Sequence, residues 1–239
     1  MKTAKIFGRS RDVWSFVRYS AYQNFSGRAL GFIGLAVVVF LAVLVFSLMS
    51  RSAARGPEQV YHYLLIPAIL LTFYPSAFAI QGDKDAEMIE TLFGIPDHRF
   101  KVWLVRLATL LVLVAGILLL LAVFCRIALT EFPVGTMVFQ LMFPVLFLAS
   151  LAFFIACLTG SGNATAVILV VVVLAFWSLA GTLRASSWFV FHNPFTSVSA
   201  IQAVAWAKTT LSNRLMLSIG SVFLLMLALL RLQNRERYI

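Results

Sequence analysis

The chain has 239 residues, of which 62% are hydrophobic and 12% charged, and its net charge is +10. A soluble domain is typically about 45–50% apolar and about 25% charged. This chain therefore has too few polar residues to cover its apolar side chains in water. The composition excludes a disordered chain, a fibrous repeat and a soluble enzyme domain. The basic residues lie at the ends of apolar runs, which excludes nucleic acid as the partner and is typical of a membrane protein.

Six stretches of the sequence are long and apolar enough to cross a bilayer, for which a helix needs about 20 mostly apolar residues. They lie at residues 29–49, 61–80, 105–125, 132–158, 164–183 and 215–230. We therefore predict an all-α polytopic membrane protein with six transmembrane helices. Its membrane domain covers 29–230, between a cytoplasmic N-terminus (1–28) and a cytoplasmic tail (231–239). The first apolar run is too long for the core of a cleaved signal peptide.

The distribution of lysine and arginine predicts the orientation. With six spans, 13 of the 19 basic residues fall on the side that holds both termini and the loop at 81–106, and 6 fall on the other side. Basic loops are retained in the cytoplasm, so we expect a multi-pass protein of the inner (cytoplasmic) membrane with both termini cytoplasmic. Cys125 and Cys157 then lie near opposite faces of the membrane. A disulfide, which needs Cα atoms within about 7 Å, is excluded.

Residues 11–27 precede the first span and combine aromatic with basic side chains. Trp14 lies on the apolar face of a helix drawn through them, and Arg11 and Arg18 flank that face, where their stems can reach the headgroups. This composition is typical of a helix that lies in the membrane interface. The alternative is a simple N-terminal extension of the first span.

The loop at 81–101 predicts a short cytoplasmic helix from Lys84 to Phe93. Asp83 is a favourable N-cap, Gly94 is a plausible stop, and Pro96 follows it. Two faces result: an apolar one with Met88, Ile89, Leu92 and Phe93, and an acidic row with Asp83, Glu87 and Glu90. Anionic lipid repels an acidic row, so we expect a protein partner here. The alternative is a solvated connector.

The second span contains Pro67 and Pro75, and each proline removes a backbone hydrogen bond. We predict a bent or broken helix near Tyr74-Pro75 that faces the interior of a dimer. Candidate residues of a translocation path are Tyr74, Pro75, Ser76 and Gln140. Charged groups are almost absent near the middle of the spans, which disfavours an ion pump or a proton-coupled transporter. The mild polarity of these residues suits a lipid-like or amphipathic substrate.

The outer segment at 184–214 is rich in aromatic residues but too polar to span. Asn193-Pro194 breaks the chain there, and a helix from Val198 to Lys208 is predicted after it. We expect short re-entrant helices that dip into the outer leaflet, with Asn193, Pro194 and Phe195 at their centre. The aromatic residues that favour burial in the interface are Trp188, Phe189, Phe191, Phe195 and Trp206. The alternative is a flexible outer loop.

No catalytic residues, metal ligands or cofactor site emerge from the sequence. A phosphate-binding GxxxxGK[ST] loop is absent, so the chain is not expected to bind or hydrolyse ATP in that way. The glycine-containing stretch 159–166 predicts a tight turn. His62 and His192 share the outer side, where isolated histidines are usually solvated, although a metal or haem contact there is an alternative.

Two segments carry a resemblance to a known family. Glu90-Thr91-Leu92 with Pro96 and the basic Arg99 and Lys101 before a span resembles the cytoplasmic signature of type-2 ABC-transporter permeases, although Ile89-Glu90-Thr91-Leu92 replaces the usual glycine-containing form. Asn193-Pro194-Phe195-Thr196 resembles a second recurrent feature of these permeases. The resemblance implies a half-transporter that pairs with itself or a related permease. It also implies separate ATPase subunits, which bind ATP and Mg and dock on Asp83, Glu87, Glu90, Thr91, Leu92, Phe93 and Pro96.

The leading function is therefore the permease subunit of an ATP-driven exporter of a lipid-like or amphipathic substrate. A haem-exporter-like permease has the same size and number of spans. A force-transmitting membrane subunit is a further alternative, although such a subunit usually carries a large outer domain and the first outer loop here is only Ser50 to Val60. A polytopic membrane enzyme needs carboxylates or histidines clustered at one depth, and none is visible.

Overall fold

The structure is a computed structural model that describes residues 28–49, 56–78, 80–81 and 98–232. Over these residues it consists of helices, with no strand. In chain order the helices are α1 (Arg28–Met49), α2 (Pro57–Ala77), α3 (His98–Ala128), α4 (Val134–Thr159), α5 (Gly162–Ser178), α6 (Ala180–Leu183) and α7 (Ala200–Arg231). The predicted all-α membrane protein is confirmed at this level. Five of the helices (α1, α2, α3, α4 and α7) are long and apolar enough to cross a membrane, and α5 is apolar but shorter.

One end of the bundle, here called the turn end, holds the short connection between α4 and α5. Gly160 adopts a left-handed conformation with φ 63° that ends α4, and Ser161 caps α5. The tight turn predicted at 159–166 is confined to Gly160 and Ser161, because α5 already begins at Gly162. Gln81, just after α2, accepts a hydrogen bond of 2.7 Å from the backbone N–H of Gly162. Trp103 near the start of α3 packs on Phe153 near the end of α4.

The termini of the described chain also lie at the turn end. Phe32 near the start of α1 stacks on Tyr74 near the end of α2, with 4.6 Å between ring centroids. Ala228 and Leu229 near the end of α7 belong to the same apolar cluster as Ile80. Gln81 and Trp103, which lie on either side of the undescribed stretch 82–97, are therefore both at this end.

The opposite end, here called the polar end, holds the starts of α2 and α4 and the 184–199 segment between α6 and α7. Glu58 at the start of α2 forms an ion pair with Arg184. Gln140 in the second turn of α4 accepts a hydrogen bond from Arg214 of α7. These contacts gather polar side chains from three helices and one connecting segment in one region.

The centre of the bundle is formed by α2 and α4. Helix α4 packs against α2, α3, α5 and α7, and α2 packs against α1, α3, α4 and α5. Their buried side chains include Leu64, Leu65, Leu141 and Val145. By contrast, α1, α3, α5 and α7 each expose large apolar side chains, which is expected of helices that face lipid or a partner in a membrane.

Two predicted elements differ in the structure. Helix α2 continues through Tyr74-Pro75 to Ala77, so the predicted alternative of a broken helix is wrong, and α2 packs among its neighbours. The separate helix predicted from Val198 to Lys208 and the span predicted at 215–230 form one continuous helix, α7. The sequence contains no proline or glycine between Ser199 and Gly220, so nothing in it interrupts the helix.

The outer segment also departs from the prediction of short re-entrant helices. Residues 184–199, which include Asn193, Pro194 and Phe195, contain turns but no helix, and α6 before them has four residues. Of the aromatic residues expected in the interface, Phe189 and Phe191 are buried in the protein and Trp188 is exposed. The segment folds onto the bundle because its backbone finds hydrogen-bond partners there.

Several predictions lie outside the described residues. These are the interfacial helix with Arg11, Trp14 and Arg18, and the coupling helix at 84–93 with Asp83, Glu87, Glu90, Thr91, Leu92, Phe93 and Pro96. Cys125 and Cys157 are both buried.

Candidate functional site

The polar end is organised around Arg214, which lies in the middle of α7 and is 5% exposed. Its guanidinium donates three hydrogen bonds. Nε donates to Gln140 Oε1 at 2.7 Å. One terminal nitrogen donates to Asn213 Oδ1 at 2.9 Å, and the other donates to the carbonyl oxygen of His192 at 3.2 Å. The guanidinium also lies over the ring of Phe143, 5.4 Å from its centroid, in cation–π geometry.

All three hydrogen-bond acceptors of Arg214 are neutral. Among the described residues, the ion pair is formed between Glu58 and Arg184, and no described carboxylate lies within ion-pairing distance of Arg214. A buried cation without a counter-charge is unfavourable, and in membrane proteins such a group usually marks a functional position. Arg214 is therefore the strongest functional candidate in the described part of the chain.

The neighbour of Arg214, Asn213, fixes the 184–199 segment against α7. Its side-chain amide donates to the carbonyl oxygens of Ser187 at 2.7 Å and Phe189 at 2.9 Å. These bonds satisfy backbone groups of a stretch that is not helical but is buried from Phe189 to Asn193. The connecting segment is thus a packed part of the polar end.

Glu58 fixes the same segment from the side of α2. Its carboxylate pairs with Arg184 at 2.9 Å and accepts weaker hydrogen bonds from Thr196 Oγ1 and the Ser197 N–H, both at 3.4 Å. Its backbone carbonyl accepts a bond of 3.0 Å from the side-chain amide of Asn193. Asn193 Oδ1 in turn accepts from the Phe195 N–H at 2.9 Å, which shapes the turn around Pro194.

His192 is buried and takes part in the packing of the polar end. Its Nε2 lies 2.9 Å from Thr210 Oγ1, and its Nδ1 lies 3.4 Å from the carbonyl oxygen of Arg184. Its ring packs against Trp206 at an angle of 36°, with 4.7 Å between ring centroids. Burial lowers the pKa of His192 below its ordinary value of 6.5, and the positive charge of Arg214 lowers it further. The expectation of a solvated histidine at this position is wrong. His192 is a neutral structural group that supports Arg214 through its carbonyl oxygen.

A groove with a volume of about 680 Å³ runs between α4, α7 and the 184–199 segment. Arg214 and Gln140 lie on its wall together with Thr210 and Ser218, which supply hydroxyl groups. The remaining lining is apolar: Phe139, Phe143, Pro194, Val198, Ala203, Trp206, Ala207, Leu211 and Leu215, with Thr196 at one edge. The groove is therefore amphipathic, with a cation and a few hydrogen-bonding groups set in an apolar surface.

The structure separates the residues predicted to form a translocation path. Gln140 lies at the polar end in contact with Arg214. Tyr74, Pro75 and Ser76 lie at the turn end, about 24 Å away along α2 from Glu58 at the rise of an α-helix. There Pro75 and Ser76 line a small cavity beside Arg106, and Tyr74 stacks between Phe32 and Phe78. Of the outer-segment residues, Pro194 lines the groove while Asn193 holds the segment in place.

Sequence reasoning missed Arg214 as a buried residue, since it placed Arg214 in an outer loop. The local composition, Lys208 to Arg214 with only one large apolar residue, is typical of an exposed segment. The absence of a helix breaker from Ala200 onward was the available signal that the last span starts earlier. Burial of Arg214 also depends on Gln140, which is distant in sequence and not recognisable as its partner without the fold.

The chemistry of this region is that of binding. The described residues hold no group of three or more histidine, cysteine or acidic side chains that could coordinate a metal ion. The arrangement offers a cation, hydroxyl groups and an apolar wall, which suits an amphipathic ligand with an acceptor-rich head. No protein-family model, curated protein or solved structure matches this chain.

Proposed function

We propose that the chain is the membrane-spanning permease subunit of an ATP-driven ABC transporter, an exporter of a lipid-like or amphipathic substrate. One relationship carries the proposal. Gln81 and Trp103, which flank the segment that resembles a coupling motif, lie at the turn end, whereas the amphipathic groove lies at the polar end. An exporter needs this separation between the site that receives force from an ATPase and the site that meets the substrate.

Six spans are part of this proposal. Helix α5 has 17 residues, about 26 Å at the rise of an α-helix, and α6 continues after Leu179. With α5 as a sixth span, both termini and the more basic loops are expected on the side of the turn end, so we propose that this end faces the cytoplasm and that the membrane is the inner membrane. The chain then pairs with a second copy or a related permease, and separate ATPase subunits that bind ATP and Mg dock at the turn end.

The groove favours an exporter over a force-transmitting subunit. A transmitter acts through an outer domain, yet only the residues between Met49 and Pro57 connect α1 to α2 at the polar end. A groove with Arg214 set in an apolar wall has no role in a force-transmitting subunit. For an exporter of an amphipathic molecule, the groove is a place where the substrate is held.

Site-directed photo-crosslinking tests the coupling part of the proposal. A photoreactive amino acid replaces Leu92 in the full chain, expressed in its own cell, and the matched control carries it at Trp188, which is 67% exposed at the polar end. We expect position 92, and not position 188, to capture a protein with a phosphate-binding loop. The complex should hydrolyse ATP, and the purified chain alone should not. Hydrolysis by the chain alone, or capture of no such ATPase at position 92, would contradict the proposal.

A further inference from the structure

We propose that the groove between α4 and α7 is a binding site for an anionic membrane amphiphile, with the negatively charged headgroup on Arg214 and the acyl chain along the apolar wall. The identification of this amphiphile as the exported substrate rests on the proposed function. The binding site itself rests on the groove alone, so the two are tested separately.

The charge of the groove specifies an anion. Arg214 is buried, lines the groove and contacts only neutral acceptors among the described residues. A guanidinium has five N–H donors in a planar fork that matches phosphate and carboxylate oxygens, and the three bonds described above use one donor on each nitrogen. An anionic headgroup supplies the counter-charge that this cation otherwise lacks.

Trp206 gives a second, independent indication of an acceptor-rich ligand. Its indole lines the groove, and its Nε1–H is buried without a hydrogen-bond acceptor within the described part of the chain. A buried donor without a partner costs about 1–3 kcal/mol, and tryptophan has no other polar atom to satisfy it. Headgroup oxygens would satisfy this donor and supply a charged acceptor to Arg214.

The apolar wall and its exposure specify a lipid instead of a free anion. Phe139, Leu211 and Leu215 line the groove and are 62%, 63% and 55% exposed. They belong to α4 and α7, two of the helices long and apolar enough to cross a membrane. The groove thus opens sideways toward the bilayer, and a ligand enters it from the lipid phase with its chain against these side chains.

The position of Arg214 along α7 agrees with the depth of a headgroup. From Leu215 to Leu230 the helix carries no charged residue, a length of about 24 Å at the helical rise. The hydrocarbon core is about 30 Å thick. Arg214 is therefore expected near the boundary between acyl chains and headgroups, in the leaflet at the polar end.

Fluorescence quenching by brominated lipids tests this site in the full chain. The protein is placed in phosphatidylcholine bilayers that contain an equal fraction of either brominated phosphatidylglycerol or brominated phosphatidylcholine. The chain has five tryptophans, so the signal of Trp206 is obtained by subtraction of the Trp206→Phe variant in the same bilayer. We expect phosphatidylglycerol to quench Trp206 more strongly, with an apparent affinity about tenfold higher, which corresponds to about 1.4 kcal/mol.

Variants assign the preference to Arg214. Arg214→Gln should abolish it, whereas Lys208→Gln, which removes an exposed cation from the same helix, should retain it. Arg214→Gln could also lose the preference by misfolding, so Gln140→Glu is a second test. It keeps the contact between α4 and α7 and supplies Arg214 with an internal carboxylate, which should compete with the headgroup and weaken the preference. Equal quenching by both lipids, or a preference that persists in Arg214→Gln and Gln140→Glu, would overturn the proposal.

Two further results separate the alternatives. Glycerol phosphate, which is the headgroup chemistry without the chain, should not displace brominated phosphatidylglycerol from the groove. Displacement at a similar concentration would overturn the assignment to a lipid. The assay contains no ATPase, so its result does not depend on the proposed function. A lipid preference without an ATPase captured at position 92 would contradict the exporter proposal and support the lipid site. Capture of an ATPase at position 92 without a lipid preference would contradict the lipid site and support the exporter proposal.

Discussion

Arg214 of α7 and Gln140 of α4 are joined by a partly buried hydrogen bond of 2.7 Å between Nε and Oε1, where these two helices pack together. Gln140→Leu removes the acceptor and leaves a buried charged donor unsatisfied, which costs about 1–3 kcal/mol. We expect a lower midpoint of thermal unfolding for the purified variant in detergent. Gln140→Glu keeps an acceptor and adds a counter-charge, so its midpoint should not fall. Equal midpoints for Gln140→Leu and the parent chain would show that the bond contributes nothing.

The helices of this fold are predictable where the signal lies in a short stretch of sequence, such as a long uncharged run or a glycine at a turn. Helix α1 coincides closely with an uncharged run of about 20 residues, because an apolar stretch of that length has one stable form in lipid. The turn at Gly160 follows from glycine's access to positive φ. In both cases the signal is local, so the sequence alone carries it.

The candidate site is not predictable in the same way. Burial of Arg214 depends on Gln140, 74 positions earlier, and on the carbonyl oxygen of His192. A polar stretch such as Lys208 to Arg214 has the same composition whether water or protein surrounds it. Only the packing of α7 against α4 buries this stretch, and the periodicity of apolar residues does not encode which helices pack together. The break considered at Pro75 is absent for a related reason, since a proline inside a membrane helix is tolerated where neighbouring helices pack around it.

The two hydrogen bonds of Asn213 to the 184–199 segment give a second prediction. Asn213→Ala leaves the carbonyl oxygens of Ser187 and Phe189 without these donors. The buried stretch should then open more often, and amide hydrogen exchange of residues 184–199 should speed up by about tenfold for each 1.4 kcal/mol lost. The matched control is Ser212→Ala, at an exposed neighbouring position, which should leave exchange unchanged. Similar exchange rates in the two variants would remove Asn213 from this role.

Gly162 is required by close packing at the turn end. A Cβ atom at this position would lie 2.4 Å from Phe78 Cδ1 and 2.8 Å from Gln81 Oε1. Overpacking of this kind costs about 1–3 kcal/mol, and the hydrogen bond from the Gly162 N–H to Gln81 would be disturbed as well. Gly162→Ala should therefore lower the unfolding midpoint. Gly116→Ala, with open space around its Cβ position, should not, and Phe78→Ala should partly rescue Gly162→Ala.

His192 makes stability dependent on pH. In the folded chain its pKa lies below 6.5, because the ring is buried and Arg214 is near. As the pH falls below about 6.5, the unfolded chain takes up a proton before the folded chain does, so the folded state loses stability. We expect the unfolding midpoint to fall on acidification from neutral pH. His192→Gln should flatten this dependence. The same slope in His192→Gln and the parent chain would contradict this origin.

The acidic row of the predicted coupling helix gives the last prediction. Glu90 lies beside the apolar face of that helix, whereas Asp83 lies at its start, so Glu90 is the carboxylate expected to be desolvated against a basic group. That group belongs to the ATPase or to the N-terminal helix around Arg11 and Arg18. Removal of one partner of a desolvated charge pair costs about 2–5 kcal/mol, largely because the other charge is left unpaired. An exposed charge at the rim costs less than about 1 kcal/mol.

Glu90→Lys should therefore lose the ATPase on purification or uncouple ATP hydrolysis from transport, while the membrane domain stays folded. Asp83→Asn should have the smaller effect. The measurements are the amount of co-purified ATPase, its hydrolysis rate and the unfolding midpoint of the permease. A lower midpoint in Glu90→Lys would indicate a folding defect in place of a docking defect. Normal assembly and normal transport in Glu90→Lys would show that the acidic row is a solvated face and that the ATPase docks elsewhere.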